Sequence, residues 1–211
     1  MWSPEPLMWN GLSTIQGNCD PSPPGMNRPL DEMTPEELGV LFPVILADPD
    51  PGWTRLYQLE KEEIARSLGA GRALTIEHIG STAVPGIKAK PTIDILIEVP
   101  ESTEDDRLIG RLRQMGYHYI PRLDNPPPHM MFVKGYTRAG YKGQAYHLHV
   151  RYPGEWDEIR FRDYLVSHPV VAREYEDLKI RLSAAFRNDR EGYTEAKTEF
   201  IRAVIEKSRK N

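Results

Sequence analysis

The chain has 211 residues, 39% hydrophobic and 27% charged, with a formal net charge of −4. That length suits one globular domain with appendages, and the acidic balance speaks against a nucleic-acid binder working by blanket phosphate neutralisation, although not against a local basic pocket. Cys19 is the only cysteine and no apolar run nears the roughly 20 residues of a membrane span. These features exclude an internal disulfide and a cysteine-based zinc site. With no charged-then-apolar leader they predict a reducing, cytoplasmic setting away from the membrane.

Residues 1–33 mix prolines, glycines and polar residues without periodicity, which predicts a flexible Pro-rich N-terminal arm. Trp2, Met8 and Trp9 are its candidates for docking on the body or on a second subunit. Thr34 is a ready N-cap, Pro35 suits the first helical position, and Glu36 and Glu37 favour the first turn, so a short helix runs to Gly39. "FPVILADPDPGW" reads as a short strand and a proline-rich turn. From Trp53 to Leu68 the apolar positions Leu56, Leu59, Ile64 and Leu68 fall at helical spacing, and Gly69 is a natural stop.

A strand from Ala73 to Ile79, a tight turn and a strand from Thr92 to Val99 follow. Ser102 and Thr103 offer caps for a helix through about Met115, ended by Gly116. "YHYI" and "HMMFVKG" read as strands around the break "PRLDNPPP", and the loop "GYTRAGYKGQ" joins the second of them to the strand "AYHLHVRY" as a hairpin. The rest is helical: about Trp156 to Ser167, Pro169 to Phe186 and Tyr193 to Lys207, with a break at Asn188 and Asp189. The order predicts an α+β fold, a mixed β-sheet with flanking helices and a helical C-terminal part over residues 155–207. The single domain spans residues 34–207, and 208–211 form a tail.

The turn in "HIGSTAVPGIKAKPTIDILIEV" carries the first chemical signal. Gly80 lets the backbone turn sharply and a ligand come close. Ser81 and Thr82 add hydroxyls where amides favour an anion, and Lys88 and Lys90 lie across the loop as point charges for phosphate. Taken by itself the turn reads first as a plain tight turn with a serine cap and two solvated lysines, and the pattern is not a P-loop. The following strand adds weight, because Asp94 is hemmed by Ile93, Ile95, Leu96 and Ile97. A carboxylate there needs pairing, hydrogen bonds or a metal. Glu98 shares its face but lies ~13 Å along the strand, too far to chelate one small cation with it.

"AYHLHVRY" alternates with period two, placing His147, His149 and Arg151 on one face. Two imidazoles so spaced can share a metal or bracket a phosphate, and Arg151 can fork onto an anion. The competing reading is the solvated face of a hairpin strand. His78 either faces the same pocket or caps the sheet. His118, His129 and His168 have structural readings at strand ends and a cap, and Arg162 and Asp163 read as surface charges.

The stretches "IEHIGSTAVPGIKAKPTIDILIEV", "YHLHVR", "FRDYLVSHP", "YEDLK" and "YTEAKTEFI", in this order, resemble the GrpB family. The resemblance covers about residues 34–207. It implies a nucleotidyltransferase-like fold, also met as an appended domain on some dephospho-coenzyme A kinases. In that wider superfamily a Gly-Ser turn holds a nucleotide triphosphate, the next strand supplies an Asp-x-Asp pair for divalent metal, and a later strand gives a third carboxylate. Gly80 and Ser81 match the turn. Asp94 matches one member of the pair; laid without gaps it is the second, with Thr92 in the first position, and read as the first it leaves Leu96 in the second. One metal-binding carboxylate is missing either way. His147 and His149 stand where the third is expected.

The resemblance therefore implies a pocket for ATP or a related phosphate ligand, and three chemistries stay open. Asp94 with His147 or His149 holds one divalent ion (Mg²⁺, Mn²⁺ or Zn²⁺); or Lys88, Lys90 and Arg151 carry the phosphate charge with little metal help; or the site binds without catalysing. The leading expectation is nucleotidyl transfer to, or ligase-type activation of, a small molecule. Its rival is a non-catalytic binding or auxiliary domain linked to coenzyme A metabolism. A nucleic-acid-modifying enzyme is disfavoured by the charge.

Overall fold

The computed structural model describes residues 30–69, 73 and 75–210. Its core is a five-stranded mixed sheet: β1 (Thr75–Ile79), β2 (Thr92–Glu98), β3 (His118–Pro121), β4 (Met130–Thr137) and β5 (Gly140–Arg151), in spatial order β1-β2-β5-β4-β3. The one parallel pair is β2 with β5, and β1–β2, β4–β5 and β3–β4 are antiparallel. The helices are α1 (Pro35–Leu41), α2 (Gly52–Leu68), α3 (Asp105–Gln114), α4 (Asp157–Ser167), α5 (Pro169–Ala185), α6 (Arg190–Glu195) and α7 (Thr198–Ser208). This is the α+β arrangement expected. Among the described residues no helix is long and apolar enough to cross a membrane.

The two faces of the sheet have opposite characters. One is apolar: Ile93, Ile95 and Ile97 of β2 with Leu148 and Val150 of β5 pack under Tyr57, Ile64 and Leu68 of α2 and Leu108 and Leu112 of α3. The opposite residues of the same strands, Asp94 beside His147 and Glu98 beside Arg151, form a polar face because the parallel register pairs them directly. Over it lie α1, which packs Leu38 on Val133 and Tyr136, and a separate apolar cluster of α4, α5 and α7 built on Phe161, Leu165, Tyr175 and Ile201. The C-terminal helices thus cap a face that a free hairpin would leave to solvent.

Several local expectations shift. "FPVILADPDPGW" makes no strand; Val44 donates to the Arg187 carbonyl at 2.7 Å and Ala47 pairs only with Ala89, so its hydrogen bonds go to two different partners. Ser102 and Thr103 do not cap α3, which opens after Glu104 without a side-chain cap, with Asp105 and Asp106 suiting its positive end. The hairpin loop shrinks to Arg138 and Ala139, since β4 and β5 pair out to Thr137 and Gly140. A bulge at Gly135 lets them do so: its φ is +88°, and a Cβ there would sit 2.4 Å from the Gln144 carbonyl oxygen. The last predicted helix is two, α6 capped by Asp189 and α7 starting after Lys197. Of the expected arm, residues 1–29, with Trp2, Met8 and Trp9, lie outside the described residues. Leu30 and Met33 pack on the α1 cluster.

Candidate functional site

The site begins where β1 ends. Gly80 takes φ +71° and ψ −172°, a conformation nearly reserved for glycine, and turns the chain into a single 3-10 turn, Ser81–Ala83. The turn passes over β2 so closely that a Cβ on Gly80 would lie 2.4 Å from Asp94 Oδ2. Asp94 Oδ1 meets His147 Nδ1 at 3.0 Å, and His147 Nε2 meets the Tyr136 hydroxyl at 2.7 Å. An ionised Asp94 assigns the proton to Nδ1, leaving Nε2 to accept from Tyr136. Burial and the charges of Lys90 and Arg190 outweigh Asp94 and lower the His147 pKa, so its ring is neutral at pH 7. Burial alone would raise Asp94, but the His147 hydrogen bond and the Lys90 charge hold its carboxyl below the usual range. Burial lifts the Tyr136 hydroxyl to about 12.

Asp94 and His147, with Tyr136 behind them, border a cavity of about 200 Å³ between the polar sheet face and the C-terminal helices. Six cations line it: Lys90, Arg122, Arg151, Lys179, Arg190 and Lys197. Only two carboxylates answer them, Asp94 and Glu158, and Glu158 is already paired with Arg151 at 3.1 Å. Lys90 and Lys197 lie over the Tyr193 ring at 5.4 and 4.2 Å, and Lys179 over Tyr175 at 4.9 Å. Burial and mutual repulsion push their ammonium pKa values down, Lys179 to about 7, Lys197 to about 8 and Lys90 well below the ordinary lysine value. Burial first and then Arg151 drive His149 to about 3, a neutral imidazole. A cavity that costs its own cations their protons is one in which an anion is the missing charge.

Of the residues singled out from sequence, Gly80, Ser81, Lys90, Asp94, His147, His149 and Arg151 converge on this cavity. Three lie outside its lining. His78 points to the other face, stacks on Tyr57 at 4.6 Å and bonds Thr82 Oγ1 at 3.0 Å. Thr82 is buried and donates to the Thr92 carbonyl at 3.2 Å. Lys88 reaches outward to Asp48. Arg162 is more than a surface charge, since it donates to Glu77 Oε2 at 3.0 Å and the His78 carbonyl at 2.6 Å, fastening α4 to β1. Sequence reasoning missed Arg122, Tyr136, Lys179, Arg190 and Lys197. One signal was present: Tyr175 and Tyr193 are each followed four positions later by a lysine, the spacing that lays an ammonium along a ring on one helical face.

Protein donors for a divalent ion are few here, Asp94 and the neutral His149 being the ones whose atoms are not all engaged. Both ring nitrogens of His147 are engaged, by Asp94 and Tyr136. Among the described residues no group of three or more His, Cys, Asp or Glu side chains comes together as a metal site. The surrounding cations raise the cost of a further bare positive charge.

Comparison with known proteins places this architecture. The family model described as GrpB protein matches residues 43–207. A UPF0157 protein of Pseudomonas aeruginosa is 40% identical over 157 residues, 74% of this chain and 64% of that protein, so the match spans less than two thirds of that relative. The glutamate-rich protein GrpB of Alkalihalophilus pseudofirmus is 36% identical over 167 residues, 77% of this chain and 94% of that one. A protein of Mycolicibacterium paratuberculosis named dephospho-CoA kinase is 31% identical over 172 residues, 70% of this chain but 41% of its own length. The crystal structure of the conserved protein GrpB from Enterococcus faecalis superposes with a TM-score of 0.68 at 28% identity, covering 79% of this chain and 98% of that one. The chain belongs to the GrpB protein family.

Proposed function

We propose that the cavity binds a phosphate-bearing ligand, a nucleotide or a related small polyanion, and that the protein uses it to activate or modify a small molecule by nucleotidyl transfer or ligase-type chemistry. The observation that carries this reading is the surplus of cations over carboxylates in the cavity, with no carboxylate paired to Lys90 or Lys197 among the described residues. In this reading Lys90, Lys179, Arg190 and Lys197 neutralise the phosphates and Gly80–Ser81 lets the backbone approach them. Asp94 accepts the proton of an attacking group: Oδ1 is held by His147, while Oδ2 has no hydrogen-bond partner among the described residues. His147 and Tyr136 fix its orientation. Mg²⁺, Mn²⁺ or Zn²⁺ enters only as an ion carried in by the phosphates.

A second reading keeps the ligand and drops the turnover. The relative named dephospho-CoA kinase is matched over 41% of its length, so there the matched part is one section of a larger protein. An auxiliary domain that binds a coenzyme A species would use the same cations. Thermal shifts with nucleotides and coenzyme A species, with and without Mg²⁺, Mn²⁺ or Zn²⁺, test both; a ligand at ~100 times its Kd adds ~2.7 kcal/mol. Binding with a product that disappears in Asp94→Asn supports the enzyme. Binding without product under every metal supports the auxiliary domain, and absence of any shift defeats both.

A further inference from the structure

We propose that the cavity has two subsites, a polyanion subsite at the Lys90–Lys197 end and a second at the Arg151 end that takes the carboxylate of a separate small molecule. The proposal rests on the phosphate reading above and names the class of the second ligand.

The register separates the two ends. β2 and β5 run parallel with Asp94 beside His147 and Glu98 beside Arg151. Lys90 precedes β2 by two residues, whereas Arg151 closes β5, four residues or ~13 Å beyond His147. Arg122 follows β3 where Pro121 faces Met130 and Met130 faces Val150, which sets it at the Arg151 end. Arg190 belongs at the opposite end, donating to the Phe42 carbonyl at 2.9 Å and the Tyr141 hydroxyl at 3.2 Å. The Asp94–His147 pair lies between.

Charge divides the same way. At the first end Lys90, Lys179, Arg190 and Lys197 gather with no carboxylate in salt-bridge contact among the described residues. Arg190 and three lysines whose depressed pKa values a bound anion would raise have Asp94 as the one lining carboxylate at this end, with Glu176 acting on Lys179 from outside the lining. They match a ligand with several negative charges. At the other end Arg151 is neutralised by Glu158, and the charge of Arg122 is also felt by Glu191. That end carries at most about one net positive charge, which suits one carboxylate rather than a polyphosphate.

Hydrogen bonding supplies an independent argument. Arg151 is 1% exposed and lines the cavity. Its Nη1 donates to the Val150 carbonyl and its Nη2 to Glu158, but its Nε has no partner. A buried guanidinium donor is seldom left unmet, and the cavity that Arg151 lines is where an acceptor can be supplied. Asn125 and His149 line the same cavity. A carboxylate presents two acceptor oxygens to this group of donors, and the neutral His149 adds no charge that would call for a second anion.

Calorimetry on the full chain tests the division, with pyrophosphate as polyanion probe and acetate, malonate, succinate and L-glutamate as carboxylate probes. With pyrophosphate saturating, at least one carboxylate binds with a Kd within about threefold of its value alone. Arg151→Lys, which keeps a charge for Glu158 but lacks Nε, and Asn125→Ala, on a surface loop, each weaken that carboxylate at least about fivefold and leave pyrophosphate within about twofold. Lys197→Ala does the reverse. Carboxylates that only compete with pyrophosphate, that give no heat, or that ignore both Arg151→Lys and Asn125→Ala overturn the two subsites while the phosphate reading stands. Absence of pyrophosphate binding instead overturns the phosphate reading itself.

Discussion

Gly80 and Asp94 are in such close contact that any side chain at position 80 must displace the carboxylate: an ideal Cβ lies 2.4 Å from Oδ2 and 3.0 Å from the Asp94 Cβ. Two costs therefore fall on Gly80→Ala, the clash and the backbone conformation, the latter alone ~1–3 kcal/mol. Gly69 separates them, since its φ of +85° is also positive but its Cβ would meet nothing within 4 Å. Gly80→Ala should lower Tm by roughly 4–10 °C and Gly69→Ala by clearly less. Equal shifts in a thermal melt would show that the Asp94 contact costs nothing.

The Asp94–His147–Tyr136 chain predicts coupling between residues that share no direct bond. Tyr136→Phe leaves the buried Nε2 of His147 without its donor, a loss of about 1–3 kcal/mol. Asp94→Asn removes the charge that holds the His147 proton on Nδ1. Because each change relaxes the same ring, the double variant should fall short of the sum by ~0.5–3 kcal/mol in chemical denaturation. Strict additivity would mean that His147 does not link the two.

The polar face was legible because period-two alternation is local: His147, His149 and Arg151 had to share a side, and Asp94 in an apolar strand needed a partner. That the side is covered was not legible. It follows from α4–α7 folding back over the sheet, a contact between segments far apart in sequence. For the same reason no local pattern marks Lys179, Arg190 and Lys197 as cavity residues, although they line it. The two Tyr-x-x-x-Lys spacings were visible but implied only local stacking. Lys88 and Lys90 show the limit most sharply. Two residues apart and chemically alike, one reaches out to Asp48 and the other over Tyr193, and no local pattern separates them.

That difference is itself testable. Lys88→Ala removes a surface pair, so the affinity for pyrophosphate should stay within about twofold, as expected for an exposed pair of small worth. Lys197→Ala removes a cation from the cavity, and a charge-assisted contact of ~1.5–3 kcal/mol corresponds to about 10- to 100-fold weaker binding. Similar losses in both variants, read by calorimetry, would place the phosphates on the outer loop instead.

The depressed lysines set a pH dependence of opposite sign for stability and for binding. In the folded chain Lys179 titrates near 7 and Lys197 near 8, against 10.5 for an ordinary lysine, because burial and neighbouring cations disfavour their charge. Between those values the unfolded chain holds more protons than the folded one, so the ligand-free protein gains stability as pH rises from about 7 toward 10. Below about 7 both states are protonated and this gain vanishes. An anion prefers the protonated lysines, so its affinity must fall over the same range. Sulfate is the suitable probe, since its own charge is constant there. Its Kd should rise between about pH 6.5 and 9 while the Tm of the free protein drifts upward. In Lys197→Met the rise should be shallower, because one titrating lysine is gone, and Lys179, relieved of the Lys197 charge, should titrate above 7. A sulfate affinity flat across this range would show that neither lysine faces the bound anion.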